Sequence, residues 1–361
     1  MRTSTTTRHS RRLPGAVSAA LLALALTGLT GGSRLTAGAA APTTIALPGG
    51  AAGIGFDDLQ FSAALDRVLV PAGRTGNLDL IDPATRAVTV IPGFSATGRF
   101  GGGHDESVTS VTEAGRWLFA TDRTAGRVDV IDPRRARIVA STRLASGPDY
   151  VRYVAPTHEL WVTEPGRDRI EVFRLSGDNP PIPGHAGFIA VPGGPESLVV
   201  DASNGRAYAN LWAGRSIAID LKTRRIAGRW ANGCRGSRGL ALDPDRGWLF
   251  AGCAEGKVTV MDLARGGRLI SSARTGTGVD IIDYNPALRH LYVPAATSAT
   301  LSILAVSGTG RLSVISTLPA DRGSHCVVAD THDQAYVCDP RHGRLIVVLD
   351  SSAPAGRGGR L

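Results

Sequence analysis

Asp57, Glu106, Asp149, Glu196, Arg238, Asp280 and His325 stand 49, 43, 47, 42, 42 and 45 residues apart along a chain of 361. Five acids, one arginine and one histidine at such intervals do chemistry together only if the fold returns each to the same place. Clustered carboxylates repel unless a cation, an arginine or a proton offsets them, so a ring of this kind would suit a divalent metal or a cationic ligand. Asp58, His104 and Asp105 adjoin these positions, and Ser107 is the alternative to Glu106 at its own. With an ion held by the acids, His104 or His325 could act as general base in a metal-assisted hydrolase or lyase of lactonase-like type. The competing reading is structural. Acids cap tight loops by accepting backbone N–H bonds, and ring channels commonly hold only water.

Recognised catalytic motifs do not decide between these readings. The chain has no G-x-S-x-G elbow, H-E-x-x-H pair, P-loop, or G-x-G-x-x-G following a strand. Gly101-Gly102-Gly103 opens onto His104-Asp105-Glu106, where carboxylates would repel a phosphate. No cofactor is called for beyond a divalent metal at the ring.

The elements that must position these residues form a repeat. A short apolar strand recurs seven times, as LDRVLVP from Leu65, GRWLFAT from Gly115, HELWVTE from His158, GRAYANL from Gly205, GWLFAGC from Gly247, RHLYVPA from Arg289 and DQAYVCD from Asp333. Each copy is followed by a polar turn and another strand, such as NLDLIDP from Asn77 or RVDVIDP from Arg127. The strands are short, rich in Val, Ile, Leu and aromatics, and bounded by Gly, Pro, Asp or Asn, which is the pattern of antiparallel hairpins. Four strands per repeat make a propeller blade, whose two faces are buried only when neighbouring blades pack on it.

The expected fold is therefore all-β: a seven-bladed β-propeller of four-stranded antiparallel blades over residues 42–352. The last repeat has three strands, and Thr43 to Pro48 would supply the fourth, so the N-terminal strand joins the last blade and closes the ring. The seven polar residues then sit where each innermost strand begins, around one mouth of the central channel.

The sequences His290-Leu291-Tyr292-Val293-Pro294, Gln334-Ala335-Tyr336-Val337-Cys338 and Val128-Asp129-Val130-Ile131-Asp132 resemble the second and third strands of the YVTN/YncE-like seven-bladed β-propeller repeat family. The resemblance spans nearly the whole mature chain. It implies a propeller of the exported kind, and because activities within such a family vary it speaks to architecture more than function.

Four cysteines in an exported chain point to two disulfides. If Val328 faces Tyr336 across the first hairpin of the last blade, Cys326 faces Cys338. Cys234 and Cys253 then form the second pair, each bridge lying within one blade. A metal-thiolate reading would need a CxxC or a zinc-spaced Cys-His motif, and His325 and Cys326, as strand neighbours, should point to opposite faces.

The remaining residues read as structural. Asp82, Asp132, Asp220 and Asp262 precede turns as Asx caps. The five tryptophans read as inter-blade packing, and His158, His185, His290, His332 and His342 fall mostly in turns of the outer rim.

Both chain ends carry other signals. Residues 1–41 read as a cleaved export signal peptide, with a basic start, an apolar Ala16 to Leu29 and small residues at Ala39 to Ala41. Ser10-Arg11-Arg12-Leu13 resembles the opening of a twin-arginine signal, which makes that route to the periplasm or exterior a candidate. Residues 353–361 read as a flexible Arg/Gly tail. The formal charge is +9, and without the five arginines of the signal it falls to +4. Arginines spread over all repeats with so modest an excess argue against nucleic acid as partner. No apolar run reaches membrane length, so a monomeric binding scaffold facing an unidentified protein or small ligand is the leading expectation, and the metal-assisted enzyme is the alternative.

Overall fold

The computed structural model describes residues 42–350. The export-signal and tail readings lie outside the described residues.

Twenty-eight strands form seven four-stranded antiparallel sheets. Blade 1 runs from Gln60–Ser62 to Val88–Pro92, blade 2 from Val108–Ala114 to Arg137–Arg143, and blade 3 from Val151–Val154 to Ile182–Ala190. Blade 4 runs from Val199–Asp201 to Ile226–Ala231, blade 5 from Ser237–Asp243 to Arg268–Arg274, and blade 6 from Asp283–Asn285 to Leu312–Pro319. Within each, strands follow sequence order from the channel outward.

Blade 7 takes Val327–Ala329, Gln334–Asp339 and Arg344–Leu349 from the end of the chain and Thr43–Ala46 from its beginning. The pairing runs from Thr43 opposite Val347 to Ala46 opposite Arg344. The seam is tight. A Cβ on Gly343, whose φ is +57°, would fall 1.9 Å from the Gly50 carbonyl oxygen, so only glycine fits that approach.

The strands are hairpins because their turns are written into the sequence. The Asp82 carboxylate accepts from the amides of Ala84 and Thr85 at 3.0 and 2.9 Å, and Asp132, Asp220 and Asp262 cap their own turns in the same way. The middle strands are buried on both faces, as Trp117–Asp122 and Glu159–Glu164 are throughout. Trp161, Tyr292, Tyr336, Phe119 and Phe250 fill the crevices between blades. Each such side chain contributes about 1.5–3 kcal/mol of burial that no isolated blade could realise.

Two residues depart from expectation. His290 lies in a strand and is buried, with Nδ1 2.7 Å from an Asp350 oxygen that also accepts from the Tyr292 hydroxyl at 2.8 Å. It pins the end of blade 7 against blade 6, because the middle strands have no solvent face on which a turn histidine could sit. Trp212 is 46% exposed and packs between no blades, because it lies in the turn after Arg206–Leu211.

Candidate functional site at the channel mouth

The inner strands begin two or three residues beyond most of the expected ring positions, so those residues occupy the lead-in loops at one end of the channel. Neighbouring lead-ins are stitched together. Asp58 donates its amide to the Thr109 carbonyl at 3.1 Å, Gly239 to Asp280 at 3.0 Å, and Ile281 to His325 at 2.9 Å. Between blades 7 and 1 a side chain replaces the amide, with His325 Nε2 2.9 Å from the Phe56 carbonyl oxygen. Both disulfide pairs, Cys234–Cys253 and Cys326–Cys338, brace this end of the molecule, and Val327 opposite Val337 sets the second in the expected register.

The mouth holds four carboxylates, three of which face a basic side chain, and one of these bases, Arg123, is shared with the Asp105 carboxylate at 2.9 Å. Asp57 Oδ2 lies 3.4 Å from His104 Nδ1, Asp149 lies 3.6 Å from an Arg123 Nη, and Glu196 lies 3.3 Å from an Arg238 Nη. The Asp280 carboxylate has neither a hydrogen bond nor an ion pair among the described residues, and Asp57 Oδ2 is buried without a hydrogen-bond partner. Burial pushes Asp57 and Asp149 upward, Asp149 strongly, with repulsion from Asp280 and Asp58 adding to it at Asp57 and from Asp57 and Glu196 at Asp149. Burial, with Asp280 and Asp57 nearby, raises Glu196 to about 8. The Asp57 carboxylate raises His104 to about 10, which keeps that imidazole charged. Glu106 turns away, accepting from the Thr97 hydroxyl at 2.8 Å, while Ser107 at the neighbouring position is fully buried.

His104 reaches the mouth on the loop between blades 1 and 2. A Cβ on Gly55 would fall 2.4 Å from the Gly103 carbonyl oxygen, so the glycine admits this loop over the ring. The His104 and His325 rings are 5.1 Å apart, and His104, Asp280 and His325 offer ligand atoms within 4.8 Å of one another. Their disposition suits a metal poorly. His325 spends both nitrogens on carbonyl oxygens, Gly323 at 2.6 Å and Phe56 at 2.9 Å, whereas His104 engages only Nδ1, toward Asp57, so two of the three groups at most could ligate without rearrangement. A metal needs a free nitrogen lone pair. His325 also lies 3.9 Å from Cys338 Sγ, on the side of the disulfide rather than opposite Cys326, because it precedes the strand and strand alternation does not govern it.

Below the mouth the channel widens into a chamber of about 390 Å³. Its walls are the inner strands, with Leu198, Leu240 and Ile281 among the apolar residues and Asp58 gripped by Arg152 at 2.5 and 2.8 Å. Tyr150 lies between the two levels. It lines the chamber, is 6% exposed, and its hydroxyl is held protonated by burial and by Asp57, Asp58, Asp149 and Asp280 around it.

Three residues at the mouth were not expected from sequence: Arg123, Tyr150 and Trp212, whose Nε1 donates to Glu196. A signal existed for two of them. Arg123 and Trp212 occupy the same repeat position, the residue following a second strand, where the other blades carry Ala72, Pro165, Ala254, Ala296 and Pro340.

No protein-family model matches the chain, and no curated protein matches its sequence. Solved structures match its fold. A chain of the hydrazine synthase of Kuenenia stuttgartiensis aligns with a TM-score of 0.67 at 12% identity, over 83% of this chain and 96% of that one. A chain of a mitotic checkpoint complex aligns with a TM-score of 0.69 at 14% identity, over 91% and 98%. At such identities the likeness is one of fold. Among the described residues no helix is long and apolar enough to cross a membrane.

Proposed function

We propose that this protein is an exported, non-enzymatic binding propeller whose channel mouth receives the cationic group of a small ligand. The observation that carries the reading is a cluster of carboxylates at the channel mouth with one member uncommitted. Asp57, Asp149 and Glu196 each face a basic side chain within 4 Å, while the Asp280 carboxylate beside them makes no hydrogen bond or ion pair among the described residues. The exposed face of Trp212 beside Glu196 adds an aromatic wall of the kind organic cations favour, which suits an organic cation better than a metal ion. The two cysteine pairs fit an oxidising compartment and so support export, with the N-terminal segment as signal. The YVTN/YncE-like repeat pattern supports the same scaffold reading, and a propeller that occurs within a mitotic checkpoint complex illustrates this fold in an assembly rather than as a lone catalyst.

Titration of the oxidised protein with butylammonium tests the proposal. Saturable binding that Asp280→Asn weakens about tenfold supports it, on the scale of one charge-assisted hydrogen bond. No saturation at any accessible concentration would remove it. The metal-assisted hydrolase or lyase remains a second reading because His104, Asp280 and His325 cluster. A stoichiometric divalent ion in the purified protein, lost on Asp149→Ala and Glu196→Ala, would favour that reading instead.

A further inference from the structure

The acid ring is continuous with a second depression of opposite charge. A cavity of about 430 Å³ lies beside the mouth, and His104 and His325 belong to both. Phe100 and Thr297 contribute to its walls, and Arg322 and Arg341 stand on its rim. Both arginines are exposed, and neither makes a hydrogen bond or ion pair among the described residues. The other arginine of blade 7 behaves differently. Arg344, three residues beyond Arg341, is committed to Asp339 at 2.7 Å and Asp321 at 3.5 Å.

Two unpaired guanidinium groups over a concave surface form a receptor for a planar oxyanion, since each presents a fork of N–H donors that a carboxylate can accept in pairs. The neighbouring ring offers the complementary end, with the Asp280 carboxylate, which makes no hydrogen bond or ion pair among the described residues, and Asp57 Oδ2, buried without a hydrogen-bond partner. The two histidines stand between. Their places are fixed, His325 by its two carbonyl contacts and His104 by Asp57. A ligand reaching from ring to rim must therefore cross them and carry a charge of opposite sign at each end.

We propose that the ligand of the channel mouth is a small zwitterion, its protonated amine seated in the carboxylate ring beside Asp280 and its carboxylate held by Arg322 and Arg341. This rests on the cation-binding reading above and adds the second anchor. It also sets a direction for specificity, because an amine alone leaves both arginines unused and a carboxylate alone meets the repulsion of the ring.

A length series separates the anchors. Glycine, γ-aminobutyrate and ε-aminohexanoate would be titrated into the oxidised protein beside butylammonium, hexylammonium and hexanoate. One of the amino acids is expected to bind at least about tenfold more tightly than the matched amine, as one added charge-assisted contact allows. The double variant Arg322→Gln/Arg341→Gln should lose that advantage and keep the affinity for the amine. Both side chains are exposed, so folding is not at stake. If amines bind and no amino acid exceeds them, or if the advantage survives in the double variant, the zwitterion proposal is overturned while the cation site stands. If neither amines nor amino acids bind, both fall.

Discussion

Asp79 provides a test of the ring seam that is independent of the ligand. It lies in the third strand of blade 1, fully buried, and neither carboxylate oxygen has a hydrogen-bond partner. Its cross-strand neighbour Val70 belongs to the apolar cluster that also contains Ile45, Leu47, Leu345 and Val347, while the flanking Leu78 and Leu80 pack in the cluster toward blade 2. Asp79 therefore faces the side on which the N-terminal strand closes the ring. The equivalent Asp129 of blade 2 is engaged by Arg127 and Ser141, and Asp79 has no such partner. Burial alone raises Asp79 to about 7. A folded-state value above the unfolded one means that the native protein binds this proton more tightly, so stability is full below about pH 4 and declines as pH rises to about 7. The displacement of about three pH units corresponds to as much as about 4 kcal/mol. Asp79→Asn, which keeps shape and cannot ionise, should match the parent at pH 4 and exceed it by about 2–4 kcal/mol at pH 8. Urea unfolding of both proteins across this range, with midpoints and slopes compared, measures the difference. An offset that is constant with pH, or a variant less stable at pH 8, would refute the reasoning.

Other consequences concern the site and its supports. Cation affinity should rise with pH through about 8 and level off only above it, because the cation displaces protons from Glu196 and Asp149, and titrations between pH 6 and 10 would show it. Removing the Cys326–Cys338 bridge as a double serine variant should cost about 2–4 kcal/mol, as expected for a short closed loop, and is measured by chemical unfolding with and without reductant. Trp212→Ala should weaken butylammonium binding several-fold, on the scale of about 0.5–1 kcal/mol for a cation over an exposed ring, and leave the melting temperature nearly unchanged. His325→Phe should lower thermal stability by about 1–3 kcal/mol, since it leaves the Phe56 carbonyl without its partner, with little change in the circular dichroism spectrum.

The blades were legible because every level of the sequence agreed. Asp82, Asp132, Asp220 and Asp262 announce turns, the runs between them alternate in hairpin lengths, and counting from Val328 opposite Tyr336 placed Cys326 on Cys338. The same counting located Asp57, Asp149, Glu196 and Asp280 at lead-ins that a seven-fold ring brings together. It could not say where a loop side chain turns, which is why Glu106 points to Thr97 and His325 lies beside the disulfide. Residue type misled where position governed. His290 is buried because it falls inside a strand, and Trp212 is exposed because it falls in a turn. Arg123 and Tyr150 lie outside the one position per repeat that carries the acids, although the residues around that position share the same mouth.

Calorimetric titration of the oxidised protein with hexylammonium at pH 8, repeated in two buffers of different ionisation enthalpy, tests the central claim most directly. The account requires saturable binding at one site per chain, with protons released to the buffer and both signals lost in Asp280→Asn/Glu196→Gln. Heats that never saturate, or a double variant that binds as the parent does, would show that the carboxylate ring is a structural feature of the propeller and not its binding site.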